Sequence, residues 1–408
     1  MSSLSVTTAP AHGMSKRRIV LVLGTLEAFG PLSMDLYMPA LPHLAESLQT
    51  TDTLAQTTMS VCMIGLGAGQ LIAGPLSDRL GRRRPLLAGI ALFAAFSLAC
   101  AFAPTIELLL LARLLQGLAG AAGVVIALAV ARDLFSGIEL SRMLSLLALV
   151  GSSAPIIAPV LGGQLARVMD WRGMFGILAL IGALILLLAA VSLQETHPAH
   201  RRTTEGIRVT VRQFGLLFHD RLFVLLLVTS AAGGVGFFTY LSMSSFVLQN
   251  EFGLTPQLFS FVFAANALSS MAGAQISRFL VARLGPARMY LLGYGLTLLA
   301  AAALFTGAVL AAPPGLLLIF LAGYLMTSGM VSPNTTTLAM DRHRERAGTA
   351  AALFGTASFV VGPVIAPLAA LSGATAAAMG AMIAGAVASA ALLAFLWVRP
   401  LLRSPVAG

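Results

Sequence analysis

Charge is scarce in this sequence. Asp, Glu, Lys and Arg make up 10% of its 408 residues, while 58% are apolar. Soluble domains use about 25% charged residues to cover their surface, so a bilayer rather than water must be the main solvent. Cysteine is scarcer still. Cys62 and Cys100 both fall inside apolar segments without the spacing of a metal site or disulfide framework, and read as packed small residues. None of the six histidines, at 12, 43, 197, 200, 219 and 343, lies deep in a long apolar run. A histidine proton relay or a metal centre therefore finds no support. The patterns G-x-S-x-G, H-E-x-x-H and the P-loop are absent as well, which argues against an enzyme. No A-x-A-like cleavage site follows the first apolar run, so that run is expected to stay as an uncleaved membrane helix. Residues 1–13 are expected to be disordered, with Met14 a second candidate start.

Long apolar runs are what the chain has instead. A helix crosses the ~30 Å hydrocarbon core with roughly 20 residues. Runs of that size cover 19–42, 54–76, 85–103, 106–131, 143–166, 173–193, 222–247, 257–280, 289–310, 315–338, 349–371 and 374–398. The expected fold class is thus an all-α membrane protein of 12 transmembrane helices. The net charge of +10 raises the question of nucleic acid, but its placement answers it. With both termini in the cytoplasm, 22 of the 25 Lys and Arg fall on the inside; Arg167 and Arg172 fall outside, and Arg113 lies within helix 4. That asymmetry is the positive-inside rule. It requires an even number of helices and leaves no charge that calls for a nucleic-acid partner.

The sequence also repeats itself. The longest polar stretch divides the helices six and six: a cytoplasmic tail (1–18), a first bundle (19–193), a cytoplasmic linker (194–221), a second bundle (222–398) and a second tail (399–408). Arg79-Leu80-Gly81-x-x-Arg84 after helix 2 returns as Arg283-Leu284-Gly285-x-x-Arg288 after helix 8, 204 residues later. Ala154-Pro155-Ile156-Ile157-Ala158-Pro159 in helix 5 returns as Gly362-Pro363-Val364-Ile365-Ala366-Pro367 in helix 11, and Asp133 as Asp341, each 208 residues later. Two pseudo-symmetric six-helix halves suit alternating access, in which the halves rock around a central site.

These residues resemble the major facilitator superfamily over the whole chain. Gly74-Pro75-Leu76-Ser77-Asp78-Arg79-x-Gly81-Arg82-Arg83 is similar to the signature of its helix 2–3 loop. Arg113-x-x-Gln116-Gly117-x-x-Gly120 is similar to the helix 4 signature of proton-coupled drug exporters. Pro159-x-x-Gly162-Gly163 resembles the helix 5 antiporter motif, with Ala-Pro at 154–155 and 158–159 where Gly-Pro is usual. Ser33-Met34-Asp35-Leu36-Tyr37-Met38-Pro39-Ala40-Leu41-Pro42, Ala131-Arg132-Asp133 and Trp171-Arg172-x-x-Phe175 together resemble the Bcr/CflA branch, the bicyclomycin- and chloramphenicol-resistance exporters. The resemblance implies a drug:proton antiporter of the bacterial inner membrane. It would work as a monomer on a small-molecule drug and protons, without a cofactor, driven by the proton gradient. It also implies a gate at Asp78, Arg79, Gly81 and Arg83, with Asp78 facing the helix 11 N-terminus near Thr349, and bending or close packing at Pro155, Pro159, Gly162 and Gly163. A proton-coupled importer on the same fold, and more distantly a channel or membrane enzyme, are the competing readings.

The chemistry is expected at the charges deep in the membrane, namely Glu27, Asp35 and Arg113, because such charges are costly and mark ion or substrate pathways. At ~1.5 Å per residue, Glu27 lies roughly 12 Å and Asp35 roughly 24 Å from the inner face, and Arg113 roughly 9 Å from the outer one. Asp35 and Arg113 are then at similar depth, placed to pair directly or through water. A movement that separates them would switch proton affinity; a purely structural ion pair is the plain alternative. Pro31 and Pro39 remove the backbone hydrogen bonds to the carbonyls of Glu27 and Asp35, which makes helix 1 pliant beside both. Glu27, Tyr37, Gln116, Phe237, Phe238 and Tyr240 are the expected substrate contacts, with Phe29 a further aromatic face. Pro333-Asn334 in helix 10 reads as a family feature or a local kink.

Overall fold

The computed structural model describes residues 16–198, 202, 215–341, 343 and 347–403. The tails at 1–15 and 404–408 and most of the linker, with the expectations placed on them, lie outside the described residues. Among the described residues, twelve helices are long and apolar enough to cross a membrane: α1 (Arg18–Ser47), α2 (Asp52–Leu80), α3 (Arg83–Ala101), α4 (Ile106–Leu134), α5 (Gly137–Leu165), α6 (Trp171–Ser192), α7 (Arg221–Glu251), α8 (Pro256–Leu284), α9 (Pro286–Val309), α10 (Pro314–Asp341), α11 (Leu353–Leu371) and α12 (Ala376–Leu402). The described residues form no strand.

Local chemistry starts and stops these helices. Thr51, Asp170, Asp220, Thr255 and Thr375 cap α2, α6, α7, α8 and α12 by accepting backbone N–H bonds from the first turn. Gly81 and Gly285 end α2 and α8 with φ of 91° and 76°, a region that glycine enters without a Cβ penalty. The repeated Arg-Leu-Gly motif is therefore the same turn in both halves.

The duplication is also visible in the packing. In the first half α2 lies on α4 and α3 on α6; in the second half α8 lies on α10 and α9 on α12. Glycines permit both close crossings. Gly65 and Gly69 face the carbonyls of Leu114 and Leu118, and Gly117 faces that of Cys62. In the second half Gly273 faces the Met326 carbonyl and Gly329 that of Ser270. Membrane helices lack a hydrophobic drive to associate and depend on such small-residue contacts. The halves meet each other through α5 on α8 and α2 on α11, pairs that exchange under the six-helix shift.

Proline breaks α1 into α-helix over Lys16–Glu27, Phe29–Asp35 and Leu41–Ser47, with a 3-10 turn at Met38–Ala40. The regular segments stop at Glu27 and at Asp35, the two residues whose carbonyls lose a partner to Pro31 and Pro39. α11 tightens to a 3-10 turn over Ala366–Ser372, and α7 ends in a π-turn at Val247–Glu251.

Candidate functional site

A cavity of about 730 Å³ opens between the halves, within the range typical of small-molecule sites. Glu27, Pro31, Met34 and Asp35 of α1 form one wall, with Met63, Leu66 and Gln70 of α2 and Gly151 and Pro155 of α5. Phe237, Phe238 and Leu241 of α7, Phe359 of α11 and a row of hydroxyl residues on α10 form the other. The lining is mostly apolar, and both membrane carboxylates face it. Asp35 is 5% exposed. Glu27 is half-buried and rests against Gly151, and its Oε2 has no hydrogen-bond partner among the described residues.

Arg113 does not join them. It is fully buried, at 0% exposure, and no Asp35–Arg113 ion pair forms. Its Nη1 donates to Gln116 Oε1 at 2.6 Å and to the Ser33 carbonyl at 3.1 Å. Nη2 donates to Tyr37 Oη at 3.2 Å and Nε to the Thr58 carbonyl at 3.3 Å. The guanidinium also lies 4.6 Å from the Tyr37 ring centroid and 5.3 Å from that of Phe175, within cation–π range. The reason is angular. Ser33 and Tyr37 are four residues apart and share one face of α1, whereas Asp35 is two residues, about 200°, from each. Equal depth made a pair plausible; azimuth separates the two.

The same azimuth removes other expected substrate contacts. Tyr37 bonds Thr58 Oγ1 at 2.9 Å, and Gln116 donates to Ser97 Oγ at 2.7 Å. Both belong to the Arg113 network behind the wall. Tyr240 accepts from Asn266 at 3.3 Å and stacks on Phe263, and Phe29 packs on Phe93 with centroids 4.0 Å apart; neither lines the cavity. Phe237, Phe238, Glu27 and Pro155 do.

We call the end at which α1 begins the inner end. Beyond Asp35, at the outer end, four hydrogen bonds among the described residues join the halves. Ser245 Oγ donates to the Met38 carbonyl at 2.7 Å, Gln249 to the Pro39 carbonyl at 3.1 Å, Gln257 to the Gly163 carbonyl at 2.9 Å and Thr53 to the Ala370 carbonyl at 3.1 Å. The Met38 carbonyl lacks its usual helical partner because residue 42 is proline. Gly162 packs on the Leu36 carbonyl within the first half, and Gly163 packs on Ser260 of α8, so a side chain at 163 would part the halves. The cavity is closed at this end and faces the inner one.

At the inner end, Asp78 was expected to face the N-terminus of α11. It forms an ion pair with Arg82, one turn on, and the Thr349 side chain lies outside the described residues. Arg82 also bonds Ser77 Oγ at 2.8 Å and Asp133 at 3.0 Å, and Thr196 reaches Asp133 at 3.1 Å. Arg83 donates to the carbonyls of Leu193 and Ala190 at the end of α6. Arg79 is exposed. This cluster ties α2, α3, α4 and α6 of one half together. Arg82, Asp133 and Glu195 were not expected as members of this cluster, although Arg82 stands at i+4 from Asp78. Glu195 accepts from the backbone N–H groups of Arg82 at 2.7 Å, His197 at 3.0 Å and Arg83 at 3.3 Å. Burial alone would raise its pKa, but these N–H groups and the Arg202 charge outweigh it and hold the carboxyl below the usual glutamate range. A depressed carboxyl adds stability at neutral pH and loses it as pH falls through the folded pKa. Glu195→Gln is expected to lower the melting temperature at pH 7, and the difference from wild type should vanish near about pH 3. Thermal unfolding at the two pH values checks this.

The matches to known proteins agree with this geometry. Residues 23–367 match the Major Facilitator Superfamily. An uncharacterized MFS-type transporter of Bacillus subtilis, YdgK, is 37% identical over 90% of this chain and 92% of its own. A bicyclomycin resistance protein homolog of Haemophilus influenzae is 27% identical over 86% and 88%. A chloramphenicol resistance protein of Pseudomonas aeruginosa is 29% identical over 72% and 67%. Among solved structures, a bacterial homolog of the human lysosomal transporter Spinster superposes with a TM-score of 0.76 over 97% of this chain and 100% of that one, at 16% identity; it shares the fold. Twelve apolar helices in two matching halves around one cavity, together with the family match over residues 23–367, make this chain a member of the Major Facilitator Superfamily: a multi-pass membrane transporter and not an enzyme.

Proposed function

We propose that the protein exports small lipophilic compounds, of the amphenicol or bicyclomycin class, in exchange for protons. On this reading it lies in the bacterial inner membrane with both termini cytoplasmic, acts as a monomer, and needs no cofactor beyond the proton gradient. The observation that carries the reading is that Glu27 and Asp35 both line the one cavity, between apolar and aromatic surfaces. Cargo and protons then compete for the same space. A protonated carboxyl is less costly to carry through an apolar site than a charged one. Cargo entering from the inner side displaces the protons there, and opening to the outer side releases the cargo and lets the two carboxylates take up protons again before the cavity returns inward. The relatives named for bicyclomycin and chloramphenicol resistance support the direction and the cargo.

The energetics suffice. One charge crossing 100 mV supplies about 2.3 kcal/mol, and a tenfold gradient needs about 1.4 kcal/mol, so one proton per neutral molecule sustains a gradient of tens-fold. The test uses purified protein in liposomes with an imposed pH and voltage difference. Chloramphenicol is expected to accumulate on the proton-rich side, and to stop doing so when ionophores collapse both differences. Equal accumulation with and without the ionophores would overturn proton exchange, and movement with the protons rather than against them would favour an importer.

A further inference from the structure

The hydroxyl groups around the cavity fall into two sets. Tyr294 Oη donates to the Thr229 carbonyl at 2.9 Å, Thr297 Oγ1 to Gly293 at 2.8 Å and Thr335 Oγ1 to Val331 at 3.0 Å. These are occupied by the protein itself. Tyr324 is different. It is fully buried and lines the cavity, and its Oη has no hydrogen-bond partner among the described residues. A buried hydroxyl left unpaired costs free energy, and such groups are rare unless something else meets them.

Its place is also built. The ring of Tyr324 reaches from α10 to α7, where Gly236 leaves room for the hydroxyl; a Cβ on Gly236 would come within 2.7 Å of Oη. One and two turns further along α10, Ser328 and Ser332 line the same cavity. Spacing of four residues puts all three on one helix face. Counting from Pro314 at the outer end, Tyr324 is about 15 Å down and Ser332 about 27 Å. Counting back from Ser47, Asp35 is about 18 Å and Glu27 about 30 Å down α1. Tyr324, Ser328 and Ser332 therefore stand on the α10 wall of the cavity at depths matching those of the α1 carboxylates on the opposite wall, with the Tyr324 hydroxyl turned toward Gly236 of α7.

We infer that the α10 stripe headed by Tyr324 is the specificity-determining wall: it accepts or donates a hydrogen bond to an uncharged polar group of the cargo, a hydroxyl or an amide. This rests on the cavity being the cargo site, as in the export reading, and adds which chemical groups it selects. A site that offers a buried hydroxyl discriminates strongly against ligands unable to pair with it.

The test is equilibrium binding to detergent-purified protein, which needs no proton gradient. Two probes are compared: chloramphenicol, which carries hydroxyls and an amide, and tetraphenylphosphonium, which carries no hydrogen-bonding group. Tyr324→Phe is expected to weaken chloramphenicol binding about tenfold and to leave tetraphenylphosphonium binding unchanged. The melting temperature of the unliganded variant should be no lower than wild type, since the hydroxyl gives up no protein bond. Gly236→Ala, which crowds the hydroxyl without removing it, should act in the same direction. Unchanged chloramphenicol affinity in Tyr324→Phe, an equal loss for both probes, or a lower melting temperature would each overturn the inference while leaving export intact. Failure of the wild type to bind chloramphenicol would overturn the inference and the amphenicol reading together.

Discussion

Asp35→Asn is expected to return a drug-sensitive, pump-deficient host to the susceptibility of empty vector. The side chain is nearly isosteric, lines the cavity and makes no ion pair with Arg113, so the fold has little reason to change. On the export reading proposed above, what is lost is the ability to carry and release a proton at the deep end of the cavity. Glu27 sits two turns nearer the inner end and is half-buried, so Glu27→Gln is expected to retain partial resistance. Membrane level and melting temperature should match wild type in both variants. Undiminished resistance from Asp35→Asn at wild-type expression would remove Asp35 from the coupling step. A collapse in expression would instead assign it to folding.

Arg113→Lys is expected to fail for a different reason. The guanidinium fork reaches four acceptors in different directions, on α1, α2 and α4, and a single ammonium cannot span them. Gln116 Oε1 and Tyr37 Oη would be left poorly paired inside the bundle, at roughly 1–3 kcal/mol each. Arg113→Met removes the buried charge altogether and recovers its desolvation, yet leaves every acceptor unmet, so it should be no better. Both variants are expected to lose several kcal/mol of stability. The Arg113→Met loss should not depend on pH, since neither arginine nor methionine titrates in any useful range, whereas a buried lysine titrates readily and gives Arg113→Lys a pH-dependent loss. Melting temperatures of Arg113→Met measured from pH 5 to pH 9 separate this from the proton-coupling variants. A wild-type melting temperature for Arg113→Lys would show that the network is dispensable.

How much of this was readable before the structure varies with the kind of information needed. Helix number followed from apolar length, which requires no tertiary knowledge. The helices run longer than their apolar windows, as with α2 at Asp52–Leu80 against the expected 54–76, because caps such as Thr51 and Gly81 lie in polar sequence. The break in α1 followed from Pro31 and Pro39 alone. Glu27 and Asp35 are eight residues apart, about 80° at ~100° per residue, so their facing one cavity at two heights was legible from depth and helical angle. Pairing Asp35 with Arg113 failed because depth was used without azimuth relative to a second helix, and that angle depends on how α1 packs on α4. Gln116, Tyr37 and Tyr240 were lost for the same reason: a polar residue in a membrane helix marks either the site or its scaffold, and only packing decides. Arg82 was legible as an i+4 partner of Asp78 and was overlooked beside the more familiar Arg79 and Arg83. Tyr324 had a signal in its spacing with Ser328 and Ser332, but its unpaired hydroxyl needed coordinates.

The bonds that hold the outer ends together have a one-sided composition. Each donor is a side chain, from Ser245, Gln249, Gln257 or Thr53, and each acceptor is a main-chain oxygen. Mutation cannot delete a main-chain oxygen, and water can replace any of the donors once the halves part. The dwell time of the inward-facing form is thus adjustable through four interchangeable side chains, without disturbing the helices that carry them. Turnover speed can drift under selection while the residues that line the cavity stay as they are.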